Sequence, residues 1–147
     1  MQFLNADQEP VEYDGSPIAW RVSAYAVIEK NNEIFIIKNK TEKLHDIVGG
    51  GIEIGETIEE ALQRECLEEG GITIHIGRLL HAHIDWFHHK SGTFFQTCQL
   101  FYSATIDEYL DAPTHETTEW RGFVPVSEIG KKYRLPPIVE QVTTKNS

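Results

Sequence analysis

Glu65, Glu68 and Glu69 gather three carboxylates into one short segment, with Arg64 directly before them. At ~100° per helical residue, Ile58, Ala61, Leu62, Glu65 and Glu69 share one stripe and Glu68 lies at its margin. The first half of that stripe is apolar and faces a core, so the second half must aim carboxylates into the protein or a cleft beside it. Two of the acids are like charges one turn apart, and all three lie near the negative end of the helix dipole. Each effect costs roughly tenths of a kcal/mol when exposed, and burial raises the penalty. A divalent cation removes it, since Mg²⁺ takes carboxylate oxygens and keeps positions open for water and phosphate. The plainer alternative is a solvated helix end with Arg64 pairing to Glu60 and Glu68. The helix alone does not separate the two.

Several elements must position these acids. Thr57-Ile58-Glu59-Glu60 has the form of a capping box and Gly70-Gly71 supplies a stop, which predicts a helix from Ile58 to Glu69. Just upstream, Gly49, Gly50, Gly51 and Gly55 imply close backbone approach or positive φ angles. Ile18 to Ile28 and Glu33 to Ile37 read as strands joined into a hairpin at Asn31-Asn32. Ile72 to Ile76, Leu79 to Phe87 and Thr93 to Ile106 read as three further strands, with a turn at His89-Lys90-Ser91-Gly92. A polar loop from Asp111 to Thr118 leads to a strand from Trp120 to Val126, a helical turn at Ser127 to Ile129, and a helix after Pro136-Pro137. Residues 1–17 read as an N-terminal arm that needs no chemistry, and residues 1–147 as one domain.

Gly50, Glu56, Arg64, Glu65, Glu68, Glu69 and Gly71 fill all seven fixed places of the pattern G-x5-E-x7-R-E-U-x-E-E-x-G-U, in which U is aliphatic. At typical residue frequencies a chance match is on the order of 10⁻⁸ to 10⁻⁹ per start position. The segment thus resembles the signature of the Nudix hydrolases; Ile72 fills the last U, and Cys66, a small hydrophobe, fills the earlier one. The resemblance implies an α+β fold, the Nudix α/β/α sandwich with a mixed sheet and a glutamate-rich helix. It also implies Mg²⁺ or Mn²⁺ held by Glu65, Glu68 and Glu69 with the Gly49 carbonyl, Arg64 orienting the acids and Glu56 supporting them. Family members often carry a further acid on a later loop, for which Glu116 is preferred here over Glu119. Either Glu69 or Glu116 would accept the proton of the attacking water. The implied reaction is hydrolysis of a pyrophosphate bond in a nucleoside diphosphate linked to another moiety, a nucleoside triphosphate or related nucleotide by default.

Specificity must arise outside the signature. His81, His83, Asp85 and Phe87 alternate with Ala82, Ile84 and Trp86, so one row faces a pocket and the other a core. Arg21, His83, Asp85, Trp86 and Phe87 are the candidate substrate contacts, with Arg21 and Lys90 suited to phosphate oxygens. His81 and His83 have zinc-compatible spacing but lack further obvious ligands, which favours ordinary strand histidines. Trp86 stands where ADP-ribose hydrolases resembling this chain often carry proline, and this favours a MutT-like default.

The formal net charge of −10 makes nucleic acid an unlikely partner unless bound cations intervene. Removal of 5′ pyrophosphate from RNA is therefore the weaker alternative, beside a non-catalytic nucleotide-sensing module. Cys66 and Cys98 form no CxxC pair, and neither an export segment nor a membrane-length apolar run is visible, so the expected setting is the cytoplasm without a membrane partner. The reading admits a homodimer.

Overall fold

A computed structural model of the chain describes residues 1–144. Two short strands, β1 (Phe3–Leu4) and β2 (Pro10–Val11), precede the long β3 (Ile18–Val27). β4 (Glu29–Lys30), β5 (Glu33–Asn39), β6 (His45–Asp46) and β7 (Gly49–Gly51) follow, then α1 (Ile58–Glu65), which runs on as a π-helical turn over Cys66–Gly70. β8 (Ile72–His88), β9 (Phe94–Tyr109), β10 (Thr118–Pro125), a 3₁₀ turn at Val126–Glu128 and α2 (Pro137–Thr144) complete the order.

One sheet has the order β2-β1-β8-β9-β3-β7; the other runs β10-β5-β4 with β6 on β5. β3 lies parallel to β9 and β1 parallel to β8, while the remaining pairs are antiparallel, so the sheet is mixed as expected. β5 explains the layering. Ile34, Phe35, Ile36 and Ile37 are all solvent-free, as a strand covered on both faces must be. Phe35 and Ile37 pack with Leu62 and Cys66 of the first helix, and Ile34 and Ile36 pack with Val139 and Val142 of the last. Helix, sheets and helix form the sandwich.

The expected hairpin of the two long strands does not form. Asn31 and Asn32 do make a tight turn, with φ of 54° and 62°, the pair of positive values that a two-residue type I′ connection requires. That turn joins β5 only to the two-residue β4. Before Ile28 the chain leaves for the other sheet, where β3 finds ten aligned partners on β9, from Ile18↔Phe94 to Val27↔Ser103. The two strands expected at Ile72–Ile76 and Leu79–Phe87 are likewise one, β8, with a bulge across Gly77-Arg78. At Gly77 a Cβ would collide with the Ser103 hydroxyl, which accepts the Arg78 N–H at 2.9 Å.

The glutamate helix starts as expected: the Thr57 hydroxyl accepts the Glu60 N–H and the Glu60 carboxylate accepts the Thr57 N–H, both at 3.1 Å. Ala61, Leu62 and Cys66 are fully buried, but Ile58 is 37% exposed and does not extend the apolar stripe. The second half departs from the expected α-helix. The N–H of Gly71, left-handed at φ 62°, bonds the carbonyls of Cys66 and Leu67, which closes a wide π turn beneath Glu68 and Glu69.

Arg121 caps that turn from β10. Its guanidinium donates to the Gly70 carbonyl at 2.8 Å, the Gly71 carbonyl at 2.9 Å and the Leu110 carbonyl, and stacks on Tyr109 at 4.3 Å. A cation on the last carbonyls offsets the dipole that the acids oppose. Arg121→Ala is expected to destabilise the protein by about 2–3 kcal/mol, read as a lower urea midpoint at unchanged slope. An unchanged midpoint would mean that water satisfies those carbonyls.

Candidate active site

Arg64 organises the acidic end of the helix. Nε donates to Glu56 Oε2 at 2.8 Å and Nη2 to Glu56 Oε1 at 2.9 Å, a bidentate pair. Nη1 reaches Glu65 Oε1 at 2.8 Å and Glu68 Oε2 at 3.4 Å, and Nη2 also bonds the Gly51 carbonyl at 3.0 Å. One planar fork thus ties helix, preceding loop and glycine strand together. The Arg64 contact, with the Glu53 N–H, holds the Glu56 carboxyl down at about 2.

Glu65 and Glu69 line a cavity of about 680 Å³, with Asp46 and Asn39 beside them. Burial, then Glu65, then Asp46 push the Glu69 carboxyl far above the usual carboxylate range. Burial also raises Glu65, whose carboxyl lies near that of Glu69. Glu69 Oε2 accepts a long bond of 3.4 Å from Asn39, while its Oε1 is buried with no partner. Asp46 keeps some surface in the cavity wall, yet its packing lifts its carboxyl to about 7. Asp46 and Asn39 are additions that the sequence reading lacked.

Such a cluster of neutralised or unpartnered carboxyls has the chemistry of a divalent-cation site: hard oxygen donors in excess of the cations serving them. Glu68 is turned instead to Arg64 and to His115, 3.8 Å away, and does not line the cavity. Among the described residues no three acidic, histidine or cysteine side chains already converge into a cage. The donor set fits a cation that draws Glu65 and Glu69 together from their present partners.

The glycine strand β7 makes room for this arrangement. A Cβ at Gly49 would strike the Ala24 carbonyl of β3, and one at Gly50 would stand 2.7 Å from the Glu65 carboxyl. At Gly51 it would meet the Arg21 guanidinium at 2.9 Å. Gly50→Ala displaces only the end of a side chain, so the protein is expected to fold while losing at least ~30-fold in turnover, about 2 kcal/mol in barrier. Rates within threefold of wild type, alongside a normal melting temperature, would show that the Glu65 position is immaterial.

Across the cavity, Arg21, Thr97 and Asp85 are cross-strand neighbours, and Phe87 and Phe95 form the next pair. Arg21, Asp85, Trp86 and Phe87 all line the cavity; Trp86 comes from the other row, and its Nε1 is buried without a partner. His83 lies outside the lining and faces Asp85 at 3.6 Å. The arm beyond β1, expected to be chemically idle, supplies cavity wall from Leu4 to Gln8.

The NUDIX domain model matches residues 18–145. The chain belongs to the Nudix family. A segment of 62 residues is 40% identical to the ADP-ribose pyrophosphatase of Methanocaldococcus jannaschii, covering 40% of this chain and 37% of that protein. The mitochondrial Nudix hydrolase 17 of Arabidopsis thaliana is 29% identical over 114 residues, 76% of this chain and 60% of the relative. The matches thus span from about a third to three-fifths of these relatives' own lengths. The MutT Nudix hydrolase of Burkholderia pseudomallei superposes with a TM-score of 0.67 at 20% identity, covering 87% of this chain and 98% of that one. A Nudix hydrolase from Nitrosomonas europaea gives 0.69 at 20% identity, with 83% and 84% covered. At these identities the likeness shows the fold.

In this Nudix domain the two candidate acids, Glu116 on its loop and Glu119 at the start of β10, lie outside the cavity lining. Glu116 is exposed and outside the lining, on a loop tied to the π turn by the His115 N–H on the Glu68 carbonyl at 3.0 Å. Glu119 pairs with Lys38 at 3.8 Å. Cys66 is fully buried, and burial pushes its thiol upward, which suits packing and not nucleophilic attack. No helix among the described residues is long and apolar enough to cross a membrane.

Proposed function

We propose that this Nudix domain hydrolyses the pyrophosphate bond of a nucleoside diphosphate linked to a second group, with Mg²⁺ or Mn²⁺ as cofactor. The observation that carries the reading is the carboxyl pair Glu65 and Glu69, half-buried in a cavity wall with Glu69 Oε1 buried and unpartnered. Glu65 and Glu69, joined by Glu68 and the Gly49 carbonyl, would hold the cation. When bound, it supplies charge relief on phosphoryl oxygens. Arg64 fixes the orientation of Glu65 and Glu68 and is itself held by Glu56. Glu69 Oε1 is the atom available to take the proton of an attacking water; Glu116 would need its loop to fold inward.

Two of the relatives carry names for nucleotide pyrophosphate chemistry, which supports the reading. Besides the ADP-ribose pyrophosphatase, a putative 8-oxo-dGTP diphosphatase of Bacillus subtilis is 42% identical over 45 residues, 31% of this chain and 30% of that protein. Free nucleotides are favoured over RNA by the net charge of −10. The free thiols of Cys66 and Cys98 suit a reducing compartment such as the cytoplasm.

The test is phosphate or pyrophosphate release from nucleoside triphosphates, ADP-ribose and 5′-triphosphate RNA, with Mg²⁺ or Mn²⁺ and with chelator. Metal-dependent turnover of a free nucleotide is expected. Faster turnover of the RNA would favour RNA 5′-end processing, and no turnover of any substrate would favour a nucleotide sensor.

A further inference from the structure

The N-terminal arm that walls part of the cavity is built as a small body of its own. Asn5 Oδ1 accepts the N–H groups of Asp7 and Glu9 at 2.9 and 3.0 Å. The Gln8 N–H meets the Asn5 carbonyl at 2.9 Å and the Asn5 N–H meets the Glu9 carbonyl at 3.0 Å, with Gln8 left-handed at φ 62°. All of these bonds are internal to the turn, so the tip of the β1-β2 hairpin keeps its shape whatever it rests on.

Its attachment to the rest of the protein is confined to two places. At the root, Phe3 is fully buried against Tyr13 and Phe94, with ring centroids 5.3 and 4.9 Å away, and β1 pairs with β8 at Leu4↔Phe87 alone. At the tip, among the described residues, Asn5 to Glu9 make polar contact with the body only at Lys43. Asp7 Oδ1 accepts the Lys43 N–H at 2.8 Å, and Glu9 Oε2 takes the Lys43 ammonium at 3.2 Å. Between root and tip, Leu4 to Gln8 line the cavity, and Thr41 and Glu42 line it from the Lys43 side. The hairpin therefore bridges the cavity from the β8 wall to the loop after β5, pinned by packing at one end and held by charge at the other.

The two ends differ in strength. Burial of a phenylalanine outweighs an exposed ion pair several-fold, and the side chains of Lys43 and Glu9 are 70% and 53% exposed. The carboxylate on a backbone N–H is the stronger of the two tip bonds, yet the tip remains the weaker attachment. A segment held in this way parts at the tip long before it leaves its root.

We propose that the β1-β2 hairpin is a hinged strap over the active site, with Phe3 as hinge and Asp7, Glu9 and Lys43 as latch, and that nucleotide enters and leaves when the latch parts. The identity of what passes rests on the pyrophosphohydrolase reading; the strap rests on the attachments of the arm. With the latch shut, the hairpin closes one side of a cavity of about 680 Å³, a size suited to a small-molecule ligand. A fixed wall would set affinity, whereas a strap sets the rates of entry and exit.

The test measures those rates. Association and dissociation of α,β-methylene-ATP, whose bridge resists hydrolysis, are followed with Mg²⁺ by surface plasmon resonance on the full chain, with melting temperatures recorded alongside. Asp7→Ala/Lys43→Ala removes both tip bonds without changing net charge, so electrostatic steering of the anion is held constant. Both rates are expected to rise by at least ~5-fold while the affinity stays within roughly threefold of wild type. The opposite variant, Asp7→Cys/Lys43→Cys in a Cys98→Ser background, is bridged with dibromobimane; Cys66 is buried and does not compete. Bridging should slow both rates by at least ~10-fold relative to the same chain unbridged. Unchanged rates in folded Asp7→Ala/Lys43→Ala, equal rates before and after bridging, a loss of affinity at unchanged association rate, or no binding by the wild type would each overturn the proposal. A chain that exchanges α,β-methylene-ATP through the strap but turns over no nucleotide would sink the hydrolase reading and leave the strap standing. Nucleotide turnover with rates indifferent to bridging would do the reverse.

Discussion

Glu69→Gln is expected to lose at least ~100-fold in turnover, about 3 kcal/mol in barrier, and at the same time to make the metal-free protein more stable near pH ~8. The two halves have one cause. Glu69 is half-buried beside Glu65 and Asp46, and burial and both neighbours raise its carboxyl. A group whose folded pKa is raised stabilises the fold below its unfolded pKa of ~4.3 and loses that contribution as pH climbs through the folded value. At pH ~8 the metal-free wild type has moved far into that loss, whereas glutamine does not titrate. The gain should be on the order of 1–2 kcal/mol, read as a higher urea midpoint in chelator. Near-normal turnover, or a drop in stability accompanying lost turnover, would contradict the assignment of Glu69 as a functional and not a structural acid.

Arg64→Lys is the second large effect, although it preserves charge. The guanidinium meets Glu56 through two nitrogens, Glu65 and Glu68 through the third, and the Gly51 carbonyl besides. An ammonium offers three donors from one point and cannot span those partners. Activity is expected to fall by ~100-fold or more, and stability by about 2–3 kcal/mol, a value kept below that of a fully buried pair because Arg64 is 25% exposed. Acid resistance should change too. Glu56, held at about 2 in the folded protein, stabilises above its unfolded pKa and loses that contribution as pH falls toward about 2. Without the fork its pKa returns toward the ordinary range, so acid unfolding should begin at a higher pH. Circular dichroism across an acid titration checks this; coincident curves for wild type and Arg64→Lys would refute it.

Local chemistry made part of this fold legible in the sequence. The capping box marked the helix start because Thr57 and Glu60 are near neighbours that satisfy each other. Asn31-Asn32 marked a turn for the same reason, but the partner of β3 was chosen by ten cross-strand contacts with a segment some seventy residues away, which no local pattern reports. The π turn escaped notice because helical periodicity assumes one pitch, whereas Gly71 and Arg121 impose another.

The site divides along the same line. Glu56, Arg64 and Glu65 meet as the Nudix pattern implies, since helix geometry and one arginine suffice to join them. Asp46 and Asn39 come from other strands, in surroundings that read as ordinary polar positions. Glu116 has the right residue type on the right loop, but its side chain stays in solvent.

The central claim is that Glu65 and Glu69 are tolerated in the cavity wall because they serve a divalent cation. It is tested most directly by the melting temperature of the wild type with saturating Mg²⁺ and with chelator, from pH ~6 to ~9. Cation binding replaces protons on these carboxyls, so Mg²⁺ should raise the melting temperature throughout, and by more as pH rises. Identical melting curves with and without Mg²⁺ across that range would contradict the claim.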